Sequence, residues 1–279
     1  MILTIIDADG LCYHSSKNSI QESIESIDDR INNIIKETNC DYYTLFISQG
    51  RYFRHTISNN NYKIKRVIGN LKYLKTLKTY LIEQYNAASI PNVEADDLVA
   101  YWMNNLIYYN RILDIVTEKP TENTELVQPI MAAVDKDLLN SIPGKHFNYT
   151  YKFDGIETTK GWWVETNEED AKRFIWKQMI TGDTADSING LHGKGEAYFN
   201  KISKDVATED LPALIFNEYL KYWKTPSVAI YEYQLTFRLL HLLENDVDFN
   251  TEINDFPDAI IPIKVIKEEP STILSIDDL

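Results

Sequence analysis

The apolar positions of the chain follow two periods. Mostly apolar runs at Ile2–Ile6, Tyr42–Ile47 and Pro129–Val134 read as strands, the first of them buried, and a shorter extended piece fits 87–90. Between them, at about 19–37, 67–86 and 95–109, the spacing becomes helical. In the second of these, Val67, Ile68, Leu71, Leu74, Leu77 and Leu81 mark a buried side, while Lys72, Lys75 and Lys78 share another. Strands alternating with helices predict an α/β layer with a largely parallel sheet. The alternating aromatic and β-branched residues of 147–164 predict a hairpin, and the polar stretch 111–128 reads as a surface insertion. After about 165 the pattern is helical, most clearly in EEDAKRFIWKQMI and SVAIYEYQLTFRLLHLLEN; from about 250 there is no firm pattern. A division into 1–165 and 166–279 follows.

Composition narrows this little. A hydrophobic content of 44% supports a core, and no apolar run approaches membrane-spanning length. The start, MILTIIDADG, lacks the basic lead-in of a signal peptide; Cys12 and Cys40 form no zinc or disulfide framework and fit a reducing cytoplasm. Charge changes the picture more. The net charge of −14 argues at face value against nucleic acid. Yet Gly50–Ile82 holds no acid and eight basic residues: Arg51, Arg54, Lys63, Lys65, Arg66, Lys72, Lys75 and Lys78. The rest therefore carries −22, which is −14 less +8. A solvated lysine face is the ordinary explanation, but so uneven a distribution suits a chain that grips a polyanion locally while its acids hold metal or face solvent.

The acids are patterned too. VEADDLVAYW (93–102) sets Glu94, Asp96 and Asp97 just ahead of an apolar helix. A helix start explains acidic first turns, and a hard divalent cation explains clustered oxygen ligands. AAVDKDLL places Asp135 and Asp137 directly after an apolar run, and Asp7 follows the first strand. Sites in such sheets form beyond the carboxyl ends of strands, where these acids fall. ITGDTADSINGLHGKG adds Asp183 and Asp186, then Gly190, Gly193, Lys194 and Gly195. GKG lacks the P-loop spacing; a hairpin whose backbone amides approach a phosphate fits better.

In the order IIDADG, YFRH with YKIKR, VEADDLVAYW, VDKDLL and MITGDTADSINGLHGKG, the chain resembles the 5′–3′ exonucleases and flap endonucleases of bacteriophages and cells, and the 5′-nuclease domain of bacterial DNA polymerase I. The resemblance covers about residues 1–245. It implies a PIN-like, mostly parallel α/β nuclease domain followed by a helical region with a helix–hairpin–helix-like DNA-binding element. It also implies a cytoplasmic monomer acting with replication proteins, away from membranes, on DNA with 5′ ends or flaps, or on RNA primers. Family matching assigns Asp7, Glu94 and Asp96 to one Mg2+, with Asp97 nearby, and Asp135, Asp137, Asp183 and Asp186 to a second, Mn2+ being a substitute. Lys63 and Arg66 match residues at the scissile phosphate. Arg54 is a similar candidate, Lys65 and Lys72 belong to the flanking basic face, and the glycine hairpin with Lys194 would hold duplex DNA and a K+ ion.

The chain departs from the pattern in places. An Asp usually follows the second strand, where this sequence has Ser48 and Gln49, which add no charge. His14 stands where an Arg is usual, the hairpin GKGEAYF is shortened, and the short span between YKIKR and VEADD leaves little room for an arch. A non-catalytic DNA-binding relative and a PIN-type ribonuclease are the alternatives.

Overall fold

The computed structural model describes residues 2–65, 72–109, 127–150, 152–153, 156–157, 161–253 and 264–265. Arg66, the first part of the helix expected at 67–86, nearly all of 111–128 and the tail after 265 lie outside the described residues.

The first strand, β1 (Ile2–Asp7), is central. Leu3 and Ile5 pack to one side and Ile6 to the other, so a mostly apolar run, broken only by the buried Thr4, is what its two covered faces require. β1 pairs in parallel with β2 (Tyr42–Phe46) and β3 (Gln128–Ala132). β3 pairs in parallel with β4 (Gly144–Asn148), and the edges are antiparallel: β7 (Trp162–Thr166) beside β4, and β10 (Lys264–Val265) beside β2. The two-residue strands β5 (Lys152–Phe153) and β6 (Ile156–Glu157) pair with each other between β4 and β7. The hairpin expected within 147–164 is therefore wider, and its first arm is a strand of the main sheet. The spacing signal there was blurred because β4 opens on Gly144 and Lys145, which are exposed.

Helices cover both faces. α1 (Asp9–Ser15), α2 (Ile20–Thr38) and α4 (Leu74–Tyr85) lie on the side of Ile6; α5 (Ala95–Tyr109) lies on the side of Leu3 and Ile5. Their ends are chemically marked. Ser19 caps α2 by accepting from the Glu22 amide at 3.2 Å, and Asn39 and Asn86 close α2 and α4 in left-handed conformation. Short α3 (Phe53–Ile57) follows β2, and α6 (Lys136–Ser141) follows β3.

The helical part begins with α7 (Glu168–Thr181), capped by Asn167. A tight hairpin of β8 (Gly182–Asp183) and β9 (Ile188–Asn189) leads to α8 (Glu196–Ser203), α9 (Leu211–Trp223), α10 (Pro226–Leu240) and α11 (Asp246–Glu252). Met179, Ile180, Leu191, Phe199, Leu211, Ile215 and Tyr219 form a core of their own. Beyond α10 the chain returns: Leu242, Leu243, Phe249 and Ile253 pack into the core under α5. Among the described residues, no helix is long and apolar enough to cross a membrane.

Candidate active site

The parallel strands β1, β2 and β3 deliver their carboxyl ends to one edge of the sheet, and the site is built there. Asp7 ends β1 and is almost wholly buried, with the Asp9 amide donating to it at 3.1 Å and the Tyr149 hydroxyl donating to its main-chain carbonyl at 2.5 Å. Asp135 follows β3 as the N-cap of α6 and accepts from the Asp137 amide at 2.7 Å, so one residue both starts the helix and offers a carboxylate. Glu94 and Asp96 arrive at the start of α5. That start is held against β2 by the Ala95 amide, which donates to Ser48 Oγ at 2.8 Å. Asp183 and Asp186 come from the β8–β9 hairpin.

These carboxylates feel one another. Burial, then the charges of Asp9 and Asp135, pushes Asp7 up to about 8. Burial and the neighbouring Glu94 push Asp96 well above the ordinary range, with Asp135 and Asp7 adding to it. Asp137 rises to about 7 by burial and by the nearby Asp135, with Asp183 adding to the rise. Four separate stretches of chain thus bring Asp7, Glu94, Asp96, Asp135, Asp137, Asp183 and Asp186 to one place. An electrostatic debt remains at its centre, since repulsion and desolvation both disfavour the anions.

Basic side chains offset part of it. Lys63, in left-handed backbone (φ 55°), pairs closely with Glu94 and lies 3.5 Å from Asp186. Burial opposes its charge but Glu94, Asp96 and Asp186 outweigh that, so its pKa is raised. The Tyr62 hydroxyl sits 2.9 Å from Glu94 and 3.0 Å from Asp186, one proton between two carboxylates. Lys136 reaches Asp183 at 3.0 Å and Asp137 at 3.7 Å; although burial pushes Asp183 up, the hydrogen bond from Lys136 holds its pKa below the usual range. Lys78 donates to Asp9 at 2.7 Å and to the Ser48 carbonyl at 2.6 Å.

Two expected site residues take other positions. Arg54 is not at a phosphate-facing surface: it is 2% exposed, with its guanidinium bidentate on Asp97 at 2.7 Å, 3.0 Å from Glu94, and donating to the Leu239 and His241 carbonyls. Asp97 is fully buried on that guanidinium and also accepts from the Leu243 amide, so its oxygens are spent on tying α5 to the end of α10 rather than directed to a cation. Gln49 is exposed, and Ser48 occupies the inward place after β2. Lys65 and Lys72 are on the surface.

Among the described residues, no three carboxylate, imidazole or thiol side chains close on one point as a metal's ligands would. Glu94 is instead paired with Lys63, Asp183 with Lys136 and the neighbouring Asp9 with Lys78. The donor chemistry nevertheless fits a hard dication: all candidate ligands are carboxylates, and buried Asp7, Asp96 and Asp137 lack enough positive charge to remain ionised comfortably.

The glycine hairpin is explained locally. A Cβ on Gly190 would lie 2.3 Å from the Ile180 carbonyl and 2.4 Å from the Gly182 nitrogen, and Gly182 has φ +72°. These glycines let β8 and β9 cross at backbone contact. Gly193 and Gly195 face open space. Lys194 is bound 2.6 Å from Glu218, which also receives Lys221 at 2.7 Å and the Tyr198 hydroxyl at 2.5 Å.

No family model matches the chain, and no curated protein matches it significantly. Solved structures do. The chain is similar to the bacteriophage T5 flap endonuclease in a pseudo-enzyme–product complex with DNA and metal ions, with 19% identity, 91% of this chain and 92% of that chain covered, and a TM-score of 0.62. A structure of T5 5′-exonuclease with divalent zinc ions bound gives 17% identity, 90% and 97% coverage, and a TM-score of 0.61. The chain has the 5′-nuclease fold. Within that fold, sequence reasoning missed Asp9, Tyr62 and Lys136 and misplaced Lys78 on an outer lysine face. Only Lys136 carried a signal, its place between two candidate aspartates.

Proposed function

We propose that this chain is a divalent-cation-dependent 5′-nuclease that hydrolyses phosphodiester bonds of DNA at 5′ ends or flaps, RNA primers included, during replication or repair. The observation that carries the reading is the convergence of seven acids from four chain segments on the carboxyl edge of a 5′-nuclease sheet, with Asp7, Asp96 and Asp137 short of positive charge. The DNA and metal ions in the T5 complex support it.

Asp7, Glu94 and Asp96 would hold one cation, and Asp135, Asp137, Asp183 and Asp186 a second, with Mg2+ the cation and Mn2+ a substitute. When bound, such cations supply Lewis acidity toward phosphate oxygens and draw an anionic substrate to an acidic site. The remaining roles belong to the chain. Lys63 stays protonated among its carboxylates and is the cation nearest the Glu94–Asp186 side, where it can meet a phosphate oxygen. Tyr62 keeps Glu94 and Asp186 in fixed orientation. Arg66 is a further phosphate-contact candidate, the exposed Lys65 and Lys72 would meet the approaching strand, and Gly193 with Gly195 would let a phosphate, with a K+ ion, approach the backbone.

The lysine-paired carboxylates favour one other reading, a DNA-binding relative without catalysis. A 5′-labelled flap DNA incubated with the full chain separates the two. The nuclease reading expects short labelled products with Mg2+ and none with a chelator; intact substrate in both, with DNA bound, would leave the binding relative.

A further inference from the structure

Of the three strand ends that build the site, two carry carboxylates. β1 ends on Asp7 and β3 leads into Asp135, but β2 leads into the buried Ser48 and the exposed Gln49, neither of them charged. The place beside Ser48 is filled from the end of β1. Asp9, the first residue of α1, holds its Oδ1 2.7 Å from the ammonium of Lys78 on α4, and the Ser48 amide approaches the same oxygen at 3.4 Å. Lys78 is anchored a second time, donating to the Ser48 carbonyl at 2.6 Å.

This position joins Asp9 to the site on two sides. Its own amide donates to Asp7 at 3.1 Å. Ser48, which it meets, accepts from the Ala95 amide at 2.8 Å, between Glu94 and Asp96. After burial, the charge of Asp9 is what raises Asp7 most.

An ion pair alone does not explain the placement. Lys78 and Asp9 are 20% and 23% exposed, and a pair so open to solvent contributes little to stability. An anion beside Asp7 also makes that residue harder to ionise, a cost that a shared cation would offset. Both side-chain contacts of Asp9 fall on Oδ1, so Oδ2 has no partner among the described residues. A carboxylate can give one oxygen to an ammonium and the other to a hard dication.

We propose that Asp9 is a fourth carboxylate for the cation assigned to Asp7, Glu94 and Asp96, standing where β2 supplies none. Lys78 shares that carboxylate with the cation. The proposal rests on the reading of the chain as a cation-dependent nuclease and adds a residue to one of its two cation positions.

The test is a calorimetric titration of the full chain with Mn2+, without DNA, with the melting of every variant checked against wild type. Asp9→Asn should weaken one binding step by about tenfold or more and leave the other unchanged. The loss should persist in about 0.5 M salt, where the field of a distant charge is screened. Ser48→Asp added to Asp9→Asn should bring affinity back to within about threefold of wild type, because it returns a carboxylate to the end of β2. If Asp9→Asn fails to fold, Lys78→Met answers alone: freeing Asp9 should tighten the same step by about threefold or more, and unchanged or weaker binding would overturn the proposal. Equal Mn2+ affinity of wild type and Asp9→Asn would overturn it while leaving the nuclease reading intact. So would a loss that salt removes, or one that comes with lower melting and is not restored by Ser48→Asp. Failure of the wild type to bind Mn2+ at all would defeat both.

Discussion

Lys136 sits between two candidate ligands and reaches across to a third, Asp183, at 3.0 Å. A cation bound by Asp135, Asp137 and Asp183 must share them with this ammonium, or displace it. Lys136→Met should therefore tighten Mn2+ binding by about tenfold, or about 1.4 kcal/mol, read by calorimetric titration without DNA. Unchanged or weaker binding would mean that the lysine helps to shape the site rather than competing for it. Arg54 is the opposite case, a cation whose loss leaves acids stranded. Arg54→Met should cost about 3–5 kcal/mol of stability in urea unfolding, because Glu94 and Asp97 would remain buried without it. A loss under about 1 kcal/mol would show that the pair is dispensable. Residue types alone could reveal the seven acids, because each follows or precedes an apolar run. They could not reveal that Arg54 turns inward while Lys65 stays out, since both lie in one basic stretch and only burial separates them. Ser48 and Gln49 show the same difficulty: adjacent residues at a strand end point opposite ways, and one position of register decides which is inside.

Among the elements, those with a strong period were legible. β1, β2, β3, α2 and α5 stand where the apolar pattern sets them, within a residue or two. α9 was not singled out, because its apolar positions run nearly all round it and show no clean face. The β8–β9 hairpin was legible as a turn but not as two strands in backbone contact, which only the crossing of Gly182 and Gly190 requires. Gly190→Ala should destabilise this hairpin by about 1–3 kcal/mol in urea unfolding, through overpacking against the Ile180 carbonyl and the Gly182 nitrogen. An unchanged midpoint would mean that the hairpin can open to admit a methyl group. Glu218 of α9, paired with Lys194 beside the same hairpin, gives a pH dependence. Burial pushes Glu218 up, but hydrogen bonds from Lys194, Lys221 and Tyr198 outweigh it and hold the carboxylate at about 2, against an ordinary 4.5. With the folded pKa below the unfolded one, the stabilisation is complete above about 4.5 and is lost as pH falls toward about 2. The stability gap between wild type and Glu218→Gln should therefore shrink by about 3 kcal/mol over that window, measured by denaturant unfolding at a series of pH values. A gap that does not narrow would deny Glu218 its strong pairing.

At the scale of the whole molecule, the net charge misleads and its distribution informs. An acidic chain can work on an acidic polymer if its acids are gathered at one sheet edge and its basic residues at other surfaces. The exposed Lys65, Lys72, Lys221 and Lys224 fit that division. The α/β layer was readable from alternation alone. The return of Leu242, Leu243, Phe249 and Ile253 to the core beneath α5 was not, because long-range packing leaves no local period. The central claim is that the gathered acids act as one cation-dependent cleaving centre on bound DNA. The most direct measurement is single-turnover cleavage of a 5′-flap DNA in Mg2+, alongside binding of the same DNA, for wild type, Asp135→Asn and Asp183→Asn. The account predicts cleavage by wild type, loss of about a thousandfold or more in each variant, and DNA affinity within a few-fold of wild type. Cleavage by either variant within a few-fold of the wild-type rate would contradict it.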